Sequence, residues 1–244
     1  RHSAGPDAGR TGRGRSPCQG TRRIRLRWPA RAIIEDMSAL GPASSLHSPW
    51  PAVLRHDVLT VRPLRFRDRA AWQEQRASNE DWLTPWDATS PHPGSGPRTF
   101  AQMVRWQRRA ARQGSGYTWG IALDTDAPGR DRLVGLVSLG GIQYGSVLSG
   151  AIGYWIDRRV AGRGLTPVAV ALVCDWAFVM AGLHRLEINV RPENTASIRV
   201  PEKLGFRREG LRERYLHVAG DWCDHLAYAL TVEESGDGVL ARLL

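Results

Sequence analysis

Between residues 57 and 234 the hydrophobic and polar positions switch between two periods. Val58-Leu59-Thr60-Val61 is a short strand-like run, and Pro63 just after it ends ladder pairing or confines the strand to an edge. Over residues 68–78 apolar positions recur at helical spacing with Trp72 inward. A second helix is predicted over 97–113, with Phe100, Val104 and Ala111 on one face and arginines on the other. Three strand-like stretches follow, 117–123, 133–139 and 151–156. The Asp/Pro/Gly and Gly/Ser clusters between them sit at hairpin distances, which predicts an antiparallel meander. A glycine-rich turn at 162–164 then opens an apolar helix over 167–180, with Pro167 in its first turn and Gly182 beyond its end. A strand over 185–190 comes next, then a short helix capped by Asn194 that ends near Leu204-Gly205. Strands over 206–209 and 226–231 complete the series. The order β-α-α-β-β-β-α-β-α-β-β predicts an α+β fold, a mixed and mostly antiparallel sheet flanked by helices, without internal repeats.

Composition changes this picture mainly at the ends. The chain has 244 residues and a formal net charge of +10. Residues 1–36 carry nine arginines against Asp7, Glu35 and Asp36, so most of the basicity belongs to a Gly/Arg/Pro-rich leader that cannot bury a core of its own. Met37 is a natural start, and the leader is read as a disordered arm or a non-native extension. Contact with nucleic acid is expected, if anywhere, through that leader. Residues 37–56, rich in Pro, Ser and Ala, read as a linker, 57–234 as the folded domain and 235–244 as a tail. The longest apolar run, 167–181, is broken by Asp175 and falls short of the roughly 18 residues a membrane span requires. Cys18, Cys174 and Cys223 are odd in number, far apart and in no metal-ligand spacing, which implies no metal, no disulfide framework and a cytoplasmic location.

The chemistry starts at Arg159-x-x-Gly162-x-Gly164, directly after a strand and opening a helix. Glycines allow a tight turn, and the free N–H groups and dipole of the helix start attract a diphosphate. The segment lacks the Gly-Lys-Ser/Thr ending of a Walker loop and the spacing of a dinucleotide fingerprint.

Placed after Ile152-Gly153-Tyr154-Trp155-Ile156, this segment resembles the acetyl-CoA signature of the GNAT superfamily of N-acetyltransferases. Asn194-x-x-Ser197 followed by Lys203-Leu204-Gly205-Phe206 resembles that family's second block. Glu209-Gly210 with Gly220-Asp221-Trp222-Cys223-Asp224-His225, and the loop Trp82-Leu83-Thr84-Pro85-Trp86-Asp87, resemble the ribosomal-protein-alanine acetyltransferases of the RimJ and RimL group. The resemblance covers roughly residues 57–234. It implies acetyl-CoA as cofactor and a GNAT fold in which the strand ending at Trp155-Ile156 splays from the strand 185–190, so that the pantetheine arm pairs with exposed backbone.

On this resemblance Trp155, Ile156, Arg159, Gly162, Arg163, Gly164, Leu165, Thr166, Asn189, Asn194, Ser197 and Lys203 are the expected cofactor-binding residues. Ser197 is the candidate acid for the departing thiolate, or else a residue that satisfies a helix end. Glu187, two residues before Asn189 and on the same strand face, is the candidate base, or else a carboxylate paired to Arg185 or Arg207. Trp82, Trp86, Asp87 and Asp224 are candidates for the acceptor side, with the alternatives that the tryptophans pack the loop and that Asp224 and His225 structure the last hairpin. Pro201 departs from the family pattern: inside a helix it removes a hydrogen bond. The expected activity is acetyl transfer to a primary amine, foremost the α-amine of a protein such as a ribosomal protein, by a monomer or homodimer. A small amine such as an antibiotic or polyamine is the second acceptor class, and a non-catalytic acetyl-CoA or RNA-binding module a third reading.

Overall fold

The computed structural model describes residues 50–244 apart from 93, 95 and 128. The expected leader and most of the expected linker lie outside the described residues.

Eight strands form one sheet: β1 (Leu54–His56), β2 (Leu59–Pro63), β3 (Tyr117–Asp124), β4 (Asp131–Gln143), β5 (Ser149–Ile156), β6 (Arg185–Val190), β7 (Arg207–Val218) and β8 (Asp221–Thr231). Their spatial order is β1-β2-β3-β4-β5-β6-β8-β7. Every pairing is antiparallel except β5 with β6, which is parallel and joins only Ser149–Ala151 to Arg185–Glu187. Beyond Ala151 and Glu187 the two strands part. Each keeps a full ladder on its other side, β5 with β4 and β6 with β8, so neither can close the gap without giving up bonds already made.

Helices α1 (Arg69–Ser78), α2 (Glu80–Leu83), α3 (Phe100–Arg112), α4 (Leu165–Val179) and α5 (Thr195–Lys203) flank the sheet. Helix α4 is apolar nearly all round, and such a helix is stable only when covered on every side; its residues 169–178 are all buried. Trp176 on α4 meets Tyr117 and Trp119 of β3 edge to face, with ring centroids 4.7 and 5.1 Å apart. Adjacent β4 residues point to opposite faces. A bulge at Val134, where the register with β3 shifts, resets that alternation, so Val134 and Val137 both join the cluster under α4, whereas Leu133 joins Leu64, Phe100 and Val104 in a second cluster with α1 and the first half of α3. Trp72 of α1 lies 5.5 Å from Phe100 there, inward as its spacing predicts.

Three expectations need correction. The supposed linker contributes β1, and Trp50 meets Trp119 edge to face at 5.2 Å while Ala52 O accepts from Trp119 Nε1 at 3.1 Å. Three residues of strand among prolines and serines leave too short an alternation to recognise. The supposed C-terminal tail is docked: the buried Asp175 carboxylate accepts from Val239 N–H at 2.6 Å and Leu240 N–H at 3.1 Å. Asp175 interrupts the apolar run because it anchors the chain end. The strands expected at 206–209 and 226–231 are the near ends of a long hairpin, β7 and β8. Almost every β7 residue faces solvent, which erases the period-2 pattern.

One ion cluster ties the meander to the first helix. Arg62, 1% exposed, donates to Asp131 at 2.6 and 2.7 Å and to Asp68 at 2.8 and 3.0 Å. The Arg62 hydrogen bonds hold the Asp131 carboxyl below its ordinary range. A carboxyl depressed on folding contributes stability that is present above its unfolded pKa of about 3.9 and is lost as pH falls through the folded value. No helix among the described residues is long and apolar enough to cross a membrane.

Replacing Arg62 by Met strands two carboxylates and is expected to cost about 3–5 kcal/mol in urea unfolding at pH 7. The same variant at pH 3 should lose a smaller increment; an equal loss at both pH values would separate Asp131 from the acid sensitivity of the fold.

Candidate active site

The gap between β5 and β6 is the floor of a cleft. Asp157 N–H donates to Val134 O at 2.8 Å, so the peptide groups at Asp157 face β4. By the alternation of a strand, those of Ile156 and Tyr154 face the open side. Trp82 Nε1 reaches across to donate to Ile156 O at 3.2 Å, fixing α2 over the strand end. Arg191 donates to Pro85 O at 3.0 Å and lies 5.6 Å from the Trp86 ring centroid, which fixes the same segment to the end of β6.

Downstream of β5 the chain turns through Gly162 and Gly164, with φ of +79° and +78°, a region that glycine enters without strain. The N–H groups of Gly162, Arg163, Gly164, Leu165 and Thr166 have no partner among the described residues. They converge where the α4 dipole is positive. Arg163 is exposed and makes no ion pair or hydrogen bond among the described residues. Arg159 behaves otherwise. Its guanidinium donates to buried Asp157 at 2.8 and 3.0 Å and lies 2.9 Å from Glu74. Against the desolvation that burial imposes, the Arg159 and Asn79 hydrogen bonds hold the Asp157 carboxyl below its ordinary value. Arg159 thus braces the turn from outside the cavity.

A cavity of about 700 Å³ occupies the cleft. Trp155, Ile156, Gly162, Gly164, Leu165 and Thr166 line one side, and Asn194, Ser197 and Lys203 the other; Trp82, Trp86 and Asp87 form the rim. A second cavity of about 270 Å³ adjoins it, sharing Trp86, Asp87, Tyr154, Trp155, Asn194 and Ser197. Asn189 lines this smaller space, as does His225.

At the junction Asn194 caps α5 by accepting from Ser197 N–H at 3.0 Å. Pro201 supplies no N–H to the carbonyl four residues back, which is that of Ser197. The Tyr154 hydroxyl fills the vacancy, donating to Ser197 O at 3.1 Å, while Ser197 Oγ donates to Tyr154 Oη at 3.0 Å. Helix α5 therefore runs through its proline, and the lost bond becomes a strap between α5 and β5. Desolvation raises the Tyr154 phenol above its ordinary pKa, against the Ser197 hydrogen bond, so it stays protonated at neutral pH.

Sequence reasoning missed Tyr154, although the lone hydroxyl of the Ile152–Ile156 run and the orphan carbonyl implied by Pro201 were both there to be read. Two expected residues are elsewhere. Glu187 lies where β5 and β6 are still paired and lines neither cavity; Arg185 at 2.9 Å and Arg212 at 2.7 Å occupy its two oxygens. Asp224 accepts from Arg214 N–H at 2.8 Å inside the hairpin. His225, the next residue, points to the other face and into the site. Asp87 lines the cavity but is paired with Arg76.

Residues 58–207 match the family described as Acetyltransferase (GNAT) domain. The chain belongs to that family. Over 181 residues it is 33% identical to the probable N-acetyltransferase YjcK of Bacillus subtilis (strain 168), covering 73% of this chain and 96% of that one. It is 26% identical to the [ribosomal protein uS5]-alanine N-acetyltransferase of Escherichia coli (strain K12), covering 74% and 91%. Among solved structures, Mycobacterium smegmatis RimJ in complex with CoA-disulfide superposes with a TM-score of 0.71 at 35% identity, covering 81% of this chain and 95% of that one. This GNAT enzyme is an N-acetyltransferase, and its acetyl donor is acetyl-CoA. The cleft fits that donor: unpartnered N–H groups and Arg163 suit a diphosphate, and the open peptide edge of β5 suits an amide-bearing arm.

Arg163→Ala is expected to weaken acetyl-CoA binding about tenfold in titration calorimetry, the loss of one charge-assisted contact. Arg159→Ala should instead lower the melting temperature with less than about a threefold change in affinity. The reverse pattern would return the diphosphate to Arg159.

Proposed function

We propose that this GNAT enzyme transfers acetyl to the N-terminal α-amine of a protein. The observation that carries the reading is the character of the smaller cavity. Its walls include Leu136, Ile152, Ile188, Leu216 and Val218, and it shares Trp86 with the larger cavity. The carboxylates of the two cavities, Asp87 and Glu193, are already paired with Arg76 and Arg191. A polyamine or aminoglycoside brings several cations and calls for uncommitted acid, whereas a peptide brings one amine and an apolar stem. Trp82 and Trp86, each 37% exposed, offer flat surface on which the following residues can lie. The chain's similarity to the uS5-alanine enzyme points to the same acceptor class, and a ribosomal protein is the natural first candidate.

Acetyl-CoA supplies an acetyl group already activated as a thioester. The chain positions it, through the N–H groups of 162–166 and the open edge of β5. An α-amine with pKa of about 8 is partly neutral at physiological pH, unlike lysine near 10.4, so modest help suffices to free its lone pair. The Ser197 hydroxyl, which in the resting site donates to Tyr154 Oη, turns from that bond to donate its proton to the departing sulfur.

Incubating the full chain with acetyl-CoA and an N-terminal peptide library should yield α-acetylated products by mass spectrometry. Acetylation confined to lysine side chains or to polyamines overturns the reading. Ser197→Ala should lower kcat about 100-fold with acetyl-CoA affinity retained. Pro201→Ala, which gives the Ser197 carbonyl a helical partner and releases Tyr154, should lower kcat in the same direction; unchanged turnover in both would remove the pair from the reaction.

A further inference from the structure

The smaller cavity contains two polar atoms that the chemistry above leaves idle. Asn189 Oδ1 is buried and has no hydrogen-bond partner among the described residues. An orphan acceptor of this kind costs stability and calls for a donor from outside the chain. His225 is 4% exposed, and its Nδ1 lies 2.9 Å from Cys223 O. A carbonyl only accepts, so the proton of the neutral ring sits on Nδ1 and Nε2 is left with a lone pair. Nε2 has no partner among the described residues. The two residues are neighbours by register: Asn189 pairs with Ala227, and His225, two positions earlier on β8, shares Ala227's face. Both line the space that Ser197 and Tyr154 also line.

We propose that Asn189 and His225 form the seat of the acceptor amine, Asn189 Oδ1 taking one N–H as a hydrogen bond and His225 Nε2 acting as the general base. This rests on the α-amine reading and names the residue that Glu187 does not supply. As the C–N bond forms, the nitrogen becomes strongly acidic and its proton passes to Nε2. The C–S bond breaks, and the sulfur takes its proton from the Ser197 and Tyr154 pair. Amine and thioester become amide and thiol, and the proton held by His225 passes through water in the shared cavity to restore the Ser197 and Tyr154 pair, so that no proton is gained or lost overall.

The surroundings suit an imidazole that rests neutral. Desolvation pushes His225 below its ordinary value, with the Cys223 carbonyl opposing and the Arg191 charge adding to the fall; Glu193 and Asp224 act in the other direction. The other ionisable groups facing it include Arg212, opposite it on β7 and paired with Glu187, Tyr215, whose ring centroid is 6.0 Å away, and Asp87 and Tyr154 on the cavity wall, with Asp87 neutralised by Arg76.

Two measurements test the assignment. In long-range ¹⁵N–¹H correlation spectra of the CoA-loaded full chain, with His225 assigned by its absence in His225→Gln, the ring should be the Nδ1–H tautomer at pH 7 with Nε2 unprotonated. An Nε2–H tautomer or a charged ring overturns the proposal whatever the acceptor is. In kinetics with an acetylated peptide's unmodified precursor, His225→Gln should lose about 100-fold in kcat/KM at pH 7 with CoA affinity retained. The deficit should narrow to under about fivefold at pH 9.5, where hydroxide is about 300 times more abundant than at pH 7 and can take the proton that His225 otherwise accepts. A deficit equal at every pH marks a structural role and overturns the base. Asn189→Ala should raise the peptide KM about tenfold with little change in kcat, and an unchanged KM removes Asn189 from the seat. If the wild-type chain acetylates only small amines, the peptide reading fails, and the tautomer and the pH comparison on that amine still decide His225.

Discussion

Strands β5 and β6 stop exchanging hydrogen bonds after Ala151 and Glu187, and the peptide groups beyond that point must be satisfied by something other than each other. Their outer ladders hold the two strands apart, so the gap is a fixed property of the sheet rather than a flaw in it. The protein bridges the rim with side chains: Trp82 reaches the end of β5, Arg191 reaches back to Pro85, and Tyr154 reaches α5. The interior of the cleft is left to the ligand. The larger cavity, the smaller one and the junction between them all follow from that single divergence.

The arginine-rich composition has a different meaning once the pairs are seen. Arg62, Arg76, Arg159 and Arg185 each face carboxylates from other segments, and they hold elements together rather than advertise charge. Arg163, exposed at the turn into α4, makes no such pair among the described residues. Positive charge near the donor site is therefore set by which guanidiniums are uncommitted, not by how many the chain contains.

Features that depend on neighbours in sequence were legible in it. The glycine turn at 162–164, the Asn194 cap and the meander are local, and each was placed within a few residues of its position. Features that depend on distant partners were not. Arg159 carries the family signature, yet Glu74 and Asp157 claim it; Glu187 shares a face with Asn189, yet Arg212 from β7 closes over it. Asp224 and His225 differ by one position on a strand whose pairing partner showed no pattern, and one position decides which side chain enters the cavity.

Pro201 shows how two such distant positions become one unit. A proline within α5 leaves a carbonyl without its helical donor, and Tyr154 is placed to supply one only because β5 has already turned away from β6. Losing the tyrosine leaves a buried acceptor bare, and losing the proline leaves a phenol without its anchor. The two residues are thus coupled in energy: the cost of changing one depends on whether the other is present, so a strand and a helix far apart in the chain behave as a single element.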